Sequence, residues 1–473
     1  MGTSAMSGST RYLHRQTPCE DPSSLYYRYF LVTLVELQTV VHYHSDKKMR
    51  LIAVRDFVGH YTAHVKCAAL LVTFVVFSSC VAGGYNAPSG LSNSESIPIA
   101  EINPVSYGAK GDGISDDTQS LQKAFTICSK KGLTCRIPNG KIFLVTAPIF
   151  LWGNASLKGE DGTGTIKFDV QDSPYLLNIG ISGRNQLKKP FSGVISGIRF
   201  KVSGGTGGRI IFFWRTSGAQ ILDNIFDVGE FAYSATSSGN DHGWVRYGFK
   251  NCIRTNISIK RNKVIARGTW YGSEGFGLGH FDGAVIEGNE VIGVGDDPIG
   301  IHFSRNIKII NNTLKSVDGR LFVVNSSHVE IAHNKVERMA SLQDGRFYKG
   351  ISLIYVGFET LGANNLSAPT NTYVHDNYLY YPEGAIDPGA AIYLYGPRDA
   401  IIDKNLVVND SAFVTATAFH LLPARFDGRW SDPDLVDPAH VARVWDVTVS
   451  NNISEGKHPL KMIMTGLCVE YKG

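Results

Sequence analysis

Ile286-Glu-Gly-Asn289-Glu-Val291, Ile309-Ile-Asn-Asn312-Thr-Leu314 and Ile331-Ala-His-Asn334-Lys-Val336 follow one pattern: apolar, any, any, Asn, any, apolar. Their asparagines lie 23 and 22 residues apart. The pattern returns at Ile221-Leu-Asp-Asn224-Ile-Phe226, Ile259-Lys-Arg-Asn262-Lys-Val264, Val374-His-Asp-Asn377-Tyr-Leu379, Ile402-Asp-Lys-Asn405-Leu-Val407 and Val449-Ser-Asn-Asn452-Ile-Ser454. Ile195-Ser-Gly197-Ile-Arg199 is a weaker ninth copy with Gly in the Asn place. A period in the low twenties, with β-branched residues on both sides of a turn residue, signals a solenoid of stacked strands. Asn tolerates the left-handed turn conformation, and identical Asn side chains can hydrogen-bond up a stack. In such a chain, residues one period apart sit on top of each other.

The chain has 473 residues, of which 43% are hydrophobic, with 50 Gly and a net charge of +4. That suffices for a large core with many tight turns. No basic stripe is present, which argues against a nucleic-acid partner. Residues 1–48 are polar and aperiodic and read as a disordered or mis-translated extension. Residues 49–82 read as a signal peptide or lipoprotein signal: basic residues from Met49, the apolar run Cys67–Phe77, then Ser78-Ser79-Cys80. The run is too short for a membrane span. Cys80 is a candidate lipid anchor, the other reading being ordinary cleavage near Ala82, and either sends the protein out of the cytoplasm or to the cell envelope. Residues 83–101 read as a linker and 102–473 as one domain. Cys128 and Cys135, across a helix-to-strand turn, read either as a local disulfide or as two buried thiols. No Cys/His spacing reads as a zinc site.

Val105-Ser-Tyr-Gly-Ala-Lys-Gly-Asp112-Gly113 reads as a short strand and Gly-rich turn, and Asp116-Asp117-Thr118 supplies N-cap candidates. Leu121, Ala124, Phe125 and Cys128 then fall at helical spacing, and Gly132 ends the helix. This unit resembles the start of the pectate-lyase-like superfamily, in particular the rhamnogalacturonase/epimerase-like pectate lyase domain. The resemblance implies an all-β fold: a right-handed parallel β-helix whose open end is covered by an N-terminal capping helix. Asp112, Asp116 and Asp117 read as structural turn and cap residues.

Spacing also places the candidate chemistry. Glu274, Asp296 and Asp318 are 22 residues apart in turn, so the spacing predicts a column of carboxylates with Asp297 beside it. Like charges at a strand spacing of roughly 4.8 Å raise one another's pKa. Such a cluster shares a proton, binds a cation or performs acid–base work; the alternative is a set of turn carboxylates capping backbone amides. Ser273-Glu274-Gly275 and Gly295-Asp296-Asp297 are similar to the polygalacturonase-type glycoside hydrolases, which carry Asn-Thr-Asp-Gly, then Asp-Asp, then Gly-His-Gly, then Arg-Ile-Lys. The resemblance implies catalytic roles for Asp296, Asp297 and Glu274. Glu replaces Asp in the first motif, Asp318-Gly319 stands where His-Gly would, and Arg346-Phe-Tyr-Lys349 only loosely matches the last.

His302 and Asn325 end successive third strands and are expected to be neighbours, with His280 one strand before. Arg320 and Lys349 are candidates to bind uronate carboxylates. Long insertions interrupt the repeat (38 residues from Asn224 to Asn262, 43 from Asn334 to Asn377, 47 from Asn405 to Asn452), and insertions on one face of a solenoid often make a binding site; Trp244, Trp270, Tyr271 and Trp430 are candidates to stack on sugar rings. The expected function is therefore that of a secreted polysaccharide-active enzyme, a glycoside hydrolase of an acidic polysaccharide that needs no cofactor. The alternatives are a lyase or uronate epimerase whose acidic column holds Ca²⁺, and a non-catalytic carbohydrate-binding solenoid.

Overall fold

The computed structural model describes residues 101–171, 173, 175–181, 190–205, 208–229, 234–237, 254–266, 274–316, 319–339, 352–357, 370–385, 389–396, 398–411, 417–422, 445–464 and 469–472. The extension, signal and Cys80 readings therefore lie outside the described residues. Among the described residues no helix is long and apolar enough to cross a membrane.

Among the described residues there are three sheets of 14, 12 and 11 strands, and every pairing between coils is parallel. The chain visits the three sheets in turn, one coil per circuit. Each apolar position of the repeat becomes a column inside the solenoid. Ile259, Ile286, Ile309, Ile331, Val374, Ile402 and Val449 pair in register on the first sheet. Val264, Val291, Leu314, Val336, Leu379 and Val407 do so on the second. Phe276, Ile299, Leu321, Ile354, Ile392 and Phe419 do so on the third. Burying each such side chain is worth about 1.5–3 kcal/mol, so the three columns are the core.

The asparagines form a continuous buried ladder between the first and second sheets. Asn312 Oδ1 accepts from both Asn289 N and Asn289 Nδ2 at 2.9 Å, and Asn312 Nδ2 donates to Asn334 Oδ1 at 2.9 Å and to the Ile286 carbonyl at 2.9 Å. The same rungs run from Asn224 to Asn452. The ladder asparagine is not, however, the left-handed residue. The residue before it is: Asp223, Arg261, Asn311, His333, Asp376, Lys404 and Asn451 have φ between 51° and 57°, and Gly288 takes the same place at 63°. That residue turns the chain from one sheet to the next and points its side chain to solvent. The following Asn can then stay inward, where its amide satisfies the backbone groups the turn leaves open. The weak ninth copy is corrected accordingly. Gly197 (φ 66°) holds the left-handed place and Ile198 the ladder place, its N donating to Asn224 Oδ1 at 3.1 Å.

At the N-terminal end, helix Thr118–Lys131 buries Leu121, Ala124, Phe125 and Cys128, and the left-handed Gly132 ends it. Residues Pro104–Tyr107 form a 3₁₀ turn rather than a strand, because Pro104 follows the capping side chain of Asn103. Cys128 and Cys135 are joined in a disulfide, their Cα atoms 6.0 Å apart. The acidic motif divides its work. Asp116 Oδ1 accepts from Thr118 N at 3.0 Å, so it caps the helix. Asp117 is buried and folds back on the Gly-rich turn, accepting from Lys110 N at 2.6 Å and Gly111 N at 3.0 Å. Asp117→Ala strips both amides of their acceptor; we expect a loss of about 3 kcal/mol in urea denaturation. A loss below about 1 kcal/mol would show that the turn holds without the clamp.

Candidate active site

The candidate site lies where the chain enters the third sheet. Strands Glu274–Gly279 and Ile299–His302 pair Phe276 with Ile299 and Leu278 with Ile301. Gly275 N donates to the Asp297 carbonyl at 3.0 Å and Phe276 N to that of Pro298 at 3.1 Å. This register sets Glu274 beside Asp297, one residue off the column that a uniform spacing of 22 predicts. The next step does take 22 residues, Ile299 pairing with Leu321, so Gly319 lies over Asp297. A Cβ at Gly319 would come within 1.6 Å of the Asp296 carbonyl oxygen, so only glycine fits. Asp318 lies outside the described residues, as do Lys349, Trp244, Trp270, Tyr271 and Trp430.

Glu274, Asp296 and Asp297 are each half-buried. Burial lifts the Glu274 carboxyl to about 7, with the Asp296 charge adding to the rise and Arg209 opposing it. Burial likewise holds Asp297 well above the usual carboxylate range, the Asp296 charge reinforcing it, Arg320 opposing and Glu274 adding again. Asp297 Oδ1 accepts from Arg320 N at 3.2 Å. Arg209 reaches the site because Arg209, Ser234 and Glu274 stack in register.

The outward face of the third sheet carries a line of small and aromatic residues. Gly277 pairs with Gly300 and Gly300 with Phe322, followed by Tyr355 and Tyr393. The two glycines are buried and place no side chain beside the carboxylates. A Cβ at Gly300 would stand 3.5 Å from His302 Nε2 and 4.0 Å from Asp297 Oδ2, so both side chains lie over Gly300. On one side the rings of Phe322, Tyr355 and Tyr393 step along the axis with centroids 5.1 and 5.3 Å apart. The Arg320 guanidinium lies over two of them, 4.3 Å from Phe322 and 4.4 Å from Tyr355. On the other side Phe212 packs on Tyr175 and Trp214. Four strand steps separate Phe212 from Phe322, roughly 19 Å at ordinary strand spacing.

The histidines stand at the far end of the strands, in a different arrangement from the expected one. His302 pairs with Gly279 and Val324, while His280, Phe303 and Asn325 share the corner position, each left-handed at φ 61°, 48° and 49°. His302 and Asn325 are thus one position out of register, and the His280 ring stacks on Phe303 at 5.3 Å. Burial pushes His302 down to about 4, helped by His280 and Arg320, and His280 down to about 4, helped by Arg254. Both are uncharged at neutral pH, and His302 Nδ1 has no hydrogen-bond partner among the described residues. Arg254, fully buried, ties the corner together by donating to the carbonyls of Phe213 and Gly279, both at 2.9 Å.

These shifts oppose each other in stability. Folding raises the Glu274 pKa, so the folded chain holds more protons between about 4.5 and 7 and its stability falls as pH rises through that window. Folding lowers both histidines, so their contribution is lost as pH falls from 6.5 towards about 4. Glu274→Gln is expected to flatten the decline of Tm between about pH 5 and 8; an unchanged profile would mean that Glu274 carries no extra proton in the fold.

Arg209, Arg254, Gly300 and the Phe322–Tyr355–Tyr393 column were not singled out by the sequence. The signal was an apolar–aromatic alternation in Leu321-Phe-Val, Ile354-Tyr-Val and Ile392-Tyr-Leu, hidden by insertions of unequal length.

Residues 247–420 match the family model described as the right handed beta helix region. The chain is a right-handed β-helix. The expected parallel β-helix is what the described strands form. Over 86 residues the chain is 33% identical to Polygalacturonase ADPG1 of Arabidopsis thaliana, an alignment covering 18% of this chain and 20% of that protein. The chain thus spans about a fifth of that relative's length. Among solved structures it is similar to the surface protein and adhesin PfbA of Streptococcus pneumoniae, with TM-score 0.46 and 15% identity over 79% of this chain and 97% of that one. It is also similar to the tailspike protein of E. coli bacteriophage HK620 in complex with pentasaccharide, with TM-score 0.45 and 16% identity over 75% and 72%.

Proposed function

We propose that this β-helix is an exported polysaccharide-active enzyme that hydrolyses a glycosidic bond at Glu274, Asp296 and Asp297. The observation that carries the reading is the pairing of a carboxyl held at about 7 with neighbouring carboxylates beside a column of aromatic rings. Glycoside hydrolysis needs one protonated and one ionised carboxyl, their environments pushed apart. Glu274, kept protonated by burial, serves as general acid; Asp296, whose charge acts on both partners, serves as nucleophile or base, with Asp297 completing the cluster. Glu274 and Asp297 stand on adjacent strands, roughly 4.8 Å apart at the backbone, with Asp296 one residue before Asp297. Arg320, braced by two rings beside Asp297, is placed to meet a substrate carboxylate, which favours an acidic glycan. The partial likeness to a polygalacturonase supports the same class, and the Cys128–Cys135 disulfide supports an oxidising compartment.

A second reading has one specific support. Carboxyls that raise one another's pKa are relieved by a cation, and oxygen donors suit Ca²⁺; a lyase or epimerase of uronates would use them so, with Arg320 near the proton to be removed. Incubation with a panel of acidic and neutral polysaccharides separates the readings. Hydrolysis yields reducing ends without ultraviolet absorbance and a rate that falls above about pH 7 as Glu274 loses its proton. Unsaturated, ultraviolet-absorbing ends, or activity lost in chelator, would replace the hydrolase with the lyase. Binding with no product would leave a carbohydrate-binding solenoid.

A further inference from the structure

A second cluster lies away from the carboxylates, on the corner between the first and second sheets, and it is independent of the proposed hydrolysis. His333 and Asp376 occupy the left-handed position of successive coils, and His375 ends strand Thr370–His375 immediately before Asp376. The register pairs Ala332 with His375, which stacks His333 next to Asp376, although the ladder residues that follow them are 43 residues apart in sequence. One donor atom from each of His333, His375 and Asp376 lies within 4.8 Å of the others. We propose that these three side chains form a site for a borderline divalent transition-metal ion, Zn²⁺ above all.

Two imidazoles and one carboxylate are the donor set that such ions take, with a fourth position left for water. The buried member is already oriented. The Tyr373 ring stacks on the His375 ring at 3.7 Å, and His375 Nδ1 faces Asp376 Oδ2 at 2.7 Å, where a metal would replace the proton they share. His375 Nε2 is buried without a hydrogen-bond partner among the described residues, and the nearest acid is Glu330 Oε1 at 3.6 Å. A metal on Nδ1 would make Nε2 the donor to Glu330, the carboxylate–histidine–metal arrangement that fixes tautomer and ring direction. His333 is exposed and its ring stands edge-on to His375 with centroids 5.7 Å apart. The neighbouring cations are engaged: Lys308 with Glu330 at 2.7 Å and Lys404 with Asp403 at 3.3 Å. Bound metal would clip together two coils whose connection in sequence is long, where loop closure matters most.

The test uses the full, untagged chain, freed of metal with chelator and titrated with ZnCl₂ by calorimetry, with CoCl₂ absorption as a second readout of coordination. One equivalent is expected, together with a rise in Tm. His333→Asn keeps a residue that the same corner already uses at Asn311 and Asn451, so it folds while removing a ligand. His333→Asn and Asp376→Asn should each weaken Zn²⁺ binding at least tenfold, and Glu330→Gln should weaken it by about tenfold through the outer shell. Binding unchanged in both His333→Asn and Asp376→Asn, or no uptake by the parent at micromolar Zn²⁺ and neutral pH, overturns the site.

Discussion

On the proposed hydrolase mechanism, Asp297→Asn and Glu274→Gln are each expected to lower the rate of glycan cleavage by about 10²–10⁴-fold, the usual share of positioned acid–base help, while Tm stays level or rises. The second half of that result separates a reacting cluster from a capping one. Three crowded, half-buried carboxyls repel one another, and burial together with the Asp296 charge lifts Glu274 to about 7. Removing one ionisable group relieves that repulsion. In Asp297→Asn the new amide keeps an oxygen that can accept from Arg320 N, as the Asp297 carboxylate does, so the backbone contact survives the change. A turn carboxylate that served only to cap would show the reverse: unchanged turnover and lower stability. Initial rates on the substrate found in the panel, measured with thermal melts of the same preparations, decide it. Full activity in Asp297→Asn and Glu274→Gln together would end the hydrolase reading.

Asn312→Ala should cost the fold about 3–5 kcal/mol. The substitution takes away the acceptor of Asn289 N and Nδ2 and removes the donor to Asn334 Oδ1 and to the Ile286 and Ile310 carbonyls. All lie in the interior, where a stranded polar group costs about 1–3 kcal/mol, with part of the loss recovered by relaxation. Asn452→Ala removes the last rung, which is half-buried, and water can replace its contacts, so a smaller loss is expected there. Urea midpoints for the two variants provide the comparison. Equal and small losses would mean that the aliphatic columns hold the coils by themselves.

The repeat made the architecture legible because in a solenoid one local rule is applied at every coil. The residues that satisfy the rule, such as Ile286, Asn289 and Val291, are also those that build the core. The capping helix was legible for a similar reason: Leu121, Ala124, Phe125 and Cys128 show its buried face in their spacing alone. Which residue of the turn is left-handed was not legible. Asn is a natural candidate for that conformation, but the ladder needs its amide inside, so the place falls to a solvent-facing neighbour as varied as Arg261, Lys404 or Gly288.

The site shows the same division. Sequence alone brought Glu274, Asp296 and Asp297 to one edge of one sheet, since residues near one period apart must stack. It did not determine which of them meet, because the step from Phe276 to Ile299 takes 23 residues and that from Ile299 to Leu321 takes 22. One residue of register exchanges the partner of Glu274 and shifts His302 away from Asn325. Insertions hid the rest: Phe322, Tyr355 and Tyr393, or His333 and Asp376, become neighbours only once the chain between them is looped out and the coils close. What the sequence determined by itself was the repeating unit, its core and the edge that carries the carboxylates, because these follow from local periodicity. The contacts across coils were decided by the tertiary structure, because backbone pairing sets the register there and the length of each turn decides it.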